Sequence, residues 1–228
     1  MPADQLSVAG EAWLTMRDGE TGSAFGMLLV DRRLYADAEL VFAQLEANGY
    51  IIAWWCRAWS AWERGDLAAA EAHMRDYLDA DDDSPEASAA LGIWQEARGA
   101  GGDTETLLRR GADVNHDARG SLGNLLRKAG RLVEAEEVMR VGYDLGETAS
   151  HIPLALILHA TDRRIEAIMV LREGFEMGDV FCAYNLAALL EEFDLELAAI
   201  NWYVNAALGG DLKAVELLAR REIEPAGQ

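Results

Sequence analysis

The sequence predicts an all-α fold, a right-handed α-α superhelix of about six helical hairpins. Three observations carry that expectation. A small residue returns at an almost fixed step, at Gly26, Ala58, Gly92, Gly123, Ala155, Ala187 and Ala219, with spacings of 32, 34, 31, 32, 32 and 32 residues. Two further columns keep the same period: a small one at Ala38, Ala70, Thr104, Ala135, Ala167 and Ala199, and a large one at Phe42, Met74, Leu108, Met139, Leu171 and Tyr203. Small residues on two facing helices let backbones approach, and large neighbours fill the space beside the crossing. Only four prolines interrupt 228 residues, and a period near 33 in such a chain marks stacked helical hairpins.

The elements follow in order. Residues 4–18, with Leu6, Trp13 and Leu14, read as an N-terminal helix that caps the stack, within an N-terminal segment 1–20. The repeat array spans 21–222 as a single domain. Gly65, Gly99 and Gly130 mark turns between paired helices, where glycine takes the left-handed conformation that ends a helix. Asp83 and Glu86 frame a capping box with Pro85 in the first turn. The repeat at 85–117 is irregular, its turn lengthened by Gly99-Ala100-Gly101-Gly102. Leu107-Leu108-Arg109-Arg110-Gly111-Ala112-Asp113-Val114-Asn115 also reads like the end of an ankyrin repeat. No Thr-Pro-Leu-His turn accompanies it, so a short helix capped by Gly111 is the better reading. Pro153 predicts a late helix start after Ala149-Ser150-His151. A last helix lies near 211–222, and 223–228 is a flexible tail.

Leu122-Gly123-Asn124-Leu125-Leu126, followed by Ala129-Gly130-Arg131-Leu132-Val133-Glu134-Ala135, resembles a tetratricopeptide repeat. The later stretch Ala183-Tyr184-Asn185-Leu186-Ala187, with Ala198-Ala199-Ile200-Asn201-Trp202-Tyr203, Ala206-Ala207 and Gly210-Asp211, is similar to the related SEL-like repeats. The resemblance covers roughly residues 20–222; Arg57 and Pro153 depart from the usual first-helix chemistry. It implies that first helices line a concave groove and that the chain binds a protein or peptide there, as an adaptor, co-chaperone or regulatory scaffold. Two other readings stay open: a ligand-sensing or enzyme-associated subunit with a small molecule in the groove, and a structural homo-oligomer.

Charge narrows the partners. The net charge is −20, from 40 acidic and 20 basic side chains. It is uneven: residues 1–97 carry 18 acidic and 6 basic groups, residues 98–140 carry 7 and 8, and residues 141–228 carry 15 and 6. Such a surface repels phosphate backbones and anionic membranes, so neither nucleic acid nor membrane is an expected partner. Arginine outnumbers lysine 18 to 2, which fits a GC-rich bacterial genome. No long uncharged run or leader-like N-terminus is seen. Cys56 and Cys182 lie about four repeats apart, too far for a disulfide, which fits a cytoplasmic protein. The four histidines lack metal spacing, and Asp79-Ala80-Asp81-Asp82-Asp83 lacks the glycine and closing glutamate of a calcium loop. No nucleophile elbow, phosphate loop or zinc helix is present, so neither an enzyme nor a cofactor or metal site is expected.

Candidate binding residues fall on the inward face of the first helices. One row holds Met27, Trp59, Ile93, Asn124, Leu156 and Ala188. A turn later come Val30, Trp62, Glu96, Arg127, His159 and Glu191; a turn earlier come Ser23, Trp55, Ala89, Gly120, Ile152 and Tyr184. Trp55, Trp59 and Trp62 recur at i, i+4 and i+7, a stripe on one helix face, with Glu63 beside it. Tryptophan is enriched at binding hot spots. The stripe receives an apolar segment of a partner, or is covered by residues 4–18, or joins two copies of the chain. Trp54 points instead into the hairpin. Asn124, Arg127 and Lys128, with Arg98 and Arg131 near in sequence, form a basic island resembling a carboxylate clamp for a peptide terminus. The alternative is intramolecular pairing with Glu96, Glu134 or Glu137. Tyr184 and Asn185 could donate or accept hydrogen bonds further along.

Overall fold

The computed structural model describes residues 5–81, 83–99 and 101–221. Among them are fourteen α-helices and no strand. After α1 (Gln5–Met16) come six antiparallel pairs: α2 (Gly19–Asp31) with α3 (Tyr35–Ala47), α4 (Ile52–Glu63) with α5 (Leu67–Ala80), and α6 (Pro85–Arg98) with α7 (Thr104–Gly111); then α8 (His116–Lys128) with α9 (Leu132–Asp144), α10 (His151–Ala160) with α11 (Arg164–Glu176), and α12 (Phe181–Glu191) with α13 (Glu196–Leu208). The last helix is α14 (Leu212–Arg220), N-capped by the Asp211 carboxylate, which accepts from the Lys213 and Ala214 amides. The all-α reading and the hairpin count match expectation. The expected tail, 223–228, lies outside the described residues. The chain divides into two compact units, Met1–Val114 and Asn115–Gln228.

The recurring small residue sits where the two helices of a hairpin cross. A Cβ at Gly26 would stand 2.2 Å from Phe42 Cε1, one at Gly92 would stand 3.0 Å from Leu108, and one at Gly123 would stand 2.3 Å from Met139 Cε. The small column on the second helices, Ala38 to Ala199, is buried throughout, as is the large column from Phe42 to Tyr203. The seventh small residue, Ala219, is exposed. It ends the period on α14, which has no paired second helix among the described residues.

Each hairpin turns through a left-handed residue seven places after its small residue: Arg33, Gly65, Gly99, Gly130, Asp162 and Asp194, with φ between 58° and 75°. Wherever the next residue is among those described, it donates its amide to the carbonyl five places back, as in Leu34 to Leu29 (2.8 Å) and Arg163 to Leu158 (2.8 Å). This bond satisfies a carbonyl that the helix end would otherwise orphan. The three predicted turn glycines are therefore half of a six-member series, and arginine or aspartate holds the same conformation in the rest.

Several local readings change. The cap of α6 is Ser84, whose hydroxyl accepts from the Ala87 amide at 3.2 Å, so the cap lies one residue after Asp83. Gly111 is not a left-handed cap; a Cβ there would lie 2.5 Å from the Ala89 Cα, so it is a close-approach residue. It begins a further small column that continues through Gly142, Gly174 and Ala206, all buried. Pro153 follows a short 3-10 turn, Thr148–Ser150, and lies in the first turn of α10, where its missing N–H breaks no helix bond. Arg57, unusual in its column, is 12% exposed and reaches back to α3, where it pairs with Glu39 at 2.7 Å and Glu46 at 2.5 Å.

Two substitutions test this frame by chemical denaturation. Gly26→Ala places a methyl against the rigid, fully buried Phe42 ring and should cost about 1–3 kcal/mol, whereas Gly123→Ala should cost less because the Met139 thioether can rotate away. Equal costs would mean that the facing side chain does not set the crossing. Arg33→Gly should raise stability by about 0.5–1 kcal/mol by relieving a left-handed non-glycine residue, net of the added chain entropy.

Candidate functional site

The tryptophan stripe on α4 meets partners within its own unit. Trp94 of α6, only 3% exposed, stacks on Trp62 with ring centroids 4.8 Å apart and planes 11° apart. It also meets Trp59 edge-on at 5.3 Å. Trp55 packs edge-on against Tyr77 of α5 at 5.5 Å. All three stripe residues remain half-buried beside a core of Ala58, Met74, Leu91 and Trp94. The N-terminal helix does not fold onto them. Its Leu6 and Trp13 join the α2–α3 core with Leu29, Val41, Phe42 and Leu45, and Gly22 leaves room for the Trp13 ring. The reading in which residues 4–18 cover the stripe is thus corrected. Trp94 was legible as a large apolar residue two places after the small position, in the column of Leu28, Leu125, Ile157 and Leu189. Trp54 stacks on His73 of α5 at 6.0 Å, with the Arg57 guanidinium 5.5 Å from its ring. Glu63 is exposed at the helix end, and Ile93 is half-buried against the same core.

The basic island is partly neutralised. Arg98 pairs with Glu71 at 2.5 Å, and Arg131 grips Glu134 through two nitrogens at 2.5 and 2.7 Å. Lys128 is exposed and Asn124 half-buried on α8. Arg127 is half-buried, and its Nε is shielded from solvent with no hydrogen-bond partner.

In the second unit, the inward rows of α10 and α12 gather around a cavity of about 210 Å³. Ile152, Ala155, Leu156, Leu171, Ala188 and Leu189 supply its apolar wall; His159, Asn185 and Glu192 supply its polar edge. Leu156 is 41% exposed, an aliphatic side chain turned to solvent at the inner face. His159 Nε2 lies 3.3 Å from the Glu192 carboxylate, and its Nδ1 is shielded without a partner. Asn185 donates to the Phe181 carbonyl at 2.9 Å. Tyr184 stands one place aside, packed edge-on against Tyr203 at 5.3 Å, and lines a second hollow with Lys213, Leu217 and Arg221. The sequence rows therefore place Ile152, Leu156, His159 and Ala188 together, with Asn185 beside them. Leu171 and Glu192 were not singled out; Leu171 belongs to the large column, whose edge reaches the cavity.

Two thiols are inert by burial: desolvation pushes both Cys56 and Cys182 up to about 12, with Asp179 adding to the shift at Cys182. Both are free. Among the described residues no helix is long and apolar enough to cross a membrane.

Residues 23–85 match the family model of the tetratricopeptide repeat. No curated protein matches the sequence. Solved structures share the fold at low identity. PilW, a widely conserved type IV pilus biogenesis factor, aligns over 90% of this chain and 94% of its own, at 14% identity and a TM-score of 0.65. PilF of Pseudomonas aeruginosa aligns over 75% and 86%, at 17% identity and a TM-score of 0.61. MamA aligns over 76% and 96%, at 16% identity and a TM-score of 0.59.

Trp94→Ala should cost about 3–5 kcal/mol in urea denaturation, because it removes a fully buried indole and both of its ring contacts. A cost below about 1 kcal/mol would mean that the stripe does not rest on Trp94.

Proposed function

We propose that this chain, a tetratricopeptide-repeat protein, binds a segment of another protein along the inner faces of its first helices, as a non-catalytic scaffold. One observation carries the reading: side chains one repeat apart on α10 and α12 converge on a shared apolar cavity with polar groups at its edge. Buried apolar anchors beside a few polar groups are how binding surfaces concentrate their affinity. The cavity's 210 Å³ is below the roughly 300–1,000 Å³ of pockets that enclose a drug-sized ligand. It suits one or two side chains of an extended partner better than a free small molecule.

In this reading Leu156, His159, Asn185 and Ala188 contact the partner directly. Asn124 and Arg127, one repeat earlier on the same inward rows, extend the surface. Tyr184 and Lys128 flank it. The tryptophans of α4 contribute only the edges that Trp94 and Tyr77 leave uncovered, so a partner or a second copy would meet half-buried rings there. The free, buried cysteines favour a reducing compartment such as the cytoplasm.

The test is selection from a displayed peptide library with wild-type protein and with Leu156→Asp. Leu156 is exposed enough for aspartate to leave stability within about 0.5 kcal/mol. Peptides selected by the wild type should bind the variant at least about tenfold more weakly, the loss of one buried apolar anchor. Undiminished binding by a folded variant would move the site elsewhere.

A further inference from the structure

The cavity between α10 and α12 combines an apolar wall with a polar edge that carries the Glu192 carboxylate. Asn185 spends one Nδ2–H on the Phe181 carbonyl at 2.9 Å, which leaves its Oδ1 and one N–H open. Glu192 presents a carboxylate that is 43% exposed. One of its oxygens faces His159 Nε2 at 3.3 Å, and the other is 3.9 Å from Arg164 Nη1. That arginine is held more closely by Asp162, at 3.2 Å. A ligand group seated at this edge thus meets the Glu192 carboxylate and the Asn185 Oδ1. A half-exposed carboxylate beside an amide oxygen favours a cationic donor. The wall calls for an aliphatic stem. Methylenes would lie along Ile152, Leu156 and Ala188 while the charged head stays at the wet rim, as long cationic side chains do.

We propose that this cavity is a pocket for a lysine side chain of the bound protein segment, with the ammonium at Glu192 and the Asn185 Oδ1 and the butyl stem against Leu156. The proposal rests on the groove reading above and deepens it. The formal charge of −20 favours the same partners, because it draws basic segments toward the chain. A glutamate in place of the lysine would bring a carboxylate against Glu192, whereas norleucine would keep the stem and lose the charge.

Three blocked peptides read this out: acetyl-Ala-Leu-Lys-Leu-Ala-amide, and the same peptide with norleucine or glutamate at the centre. Each is titrated into the full chain labelled at Ile and Leu methyls and followed by NMR. The lysine peptide should shift the Ile152, Leu156 and Leu189 methyls saturably. It should bind about tenfold more tightly than the norleucine peptide, as one charge-assisted hydrogen bond provides, and more tightly still than the glutamate peptide. In Glu192→Gln the lysine-to-norleucine ratio should fall to about one while norleucine binding is kept. If norleucine or glutamate binds as well as lysine in the wild type, or if the lysine preference survives in Glu192→Gln, the lysine pocket is wrong although the groove is used. If no peptide moves those methyls at millimolar concentration, the groove reading at this cavity fails as well.

Discussion

The structure depends on one recurring contact, seen at Gly26, Gly92 and Gly123: a residue without a side chain on the first helix of a hairpin, pressed against a large one on the second. At Gly26 the space for a Cβ is already occupied by Phe42, and at Gly123 by Met139. The close approach fixes where the two helices cross, and the crossing fixes which residues lie between them. Alanines at Ala38, Ala70, Ala135, Ala167 and Ala199 are buried because a second backbone passes over them. Dispersion and hydrophobic burial reward such contact in proportion to how completely the gap is filled. The large column accordingly holds phenylalanine, methionine, leucine and tyrosine and no small residue.

The same contact decides what could be read from the sequence. Side-chain size at a crossing is a direct steric demand, so the columns were legible, and with them the register of every inward face. Backbone conformation at a turn is a weaker demand. Glycine meets it at Gly65, Gly99 and Gly130, but Arg33, Asp162 and Asp194 meet it too. A non-glycine left-handed residue costs about 1 kcal/mol, a cost that the packed helices on either side can carry. Turn chemistry alone therefore revealed only half of the series. Gly111 failed for the opposite reason. It looked like a helix stop because it follows an apolar run, yet its role is to admit the Ala89 backbone. Ser84 took the cap that Asp83 was expected to hold because either side chain can accept an amide, and only the helix phase chooses between them.

The tryptophan stripe shows where periodicity stops being informative. Spacing at i, i+4 and i+7 places three indoles on one face, but a face can be covered by the next hairpin or by another molecule, and spacing does not distinguish the two. What distinguishes them is Trp94, two places past the small residue of the following repeat, which lies flat against Trp62 and edge-on to Trp59. Aromatic pairs of this geometry add roughly 0.5–1.5 kcal/mol beyond area burial. The stripe thus serves first as cohesion between neighbouring hairpins of its unit.

Equivalent positions in the second unit have the opposite character. The row that holds Trp59 in one repeat holds Leu156 and Ala188 in two others, and the row that holds Trp62 holds His159. Where indoles fill the space between hairpins, the smaller aliphatic residues leave a cavity open to solvent, and the polar residues at its edge have groups unspent on the fold. A repeat scaffold can vary these inward positions freely, because the hairpin crossing is secured by other columns. Residues that hold the hairpin crossing and residues that line the cavity are therefore carried in separate columns of the same helix. On α10 and α12 the departures from the period leave apolar surface and a half-exposed carboxylate around one cavity.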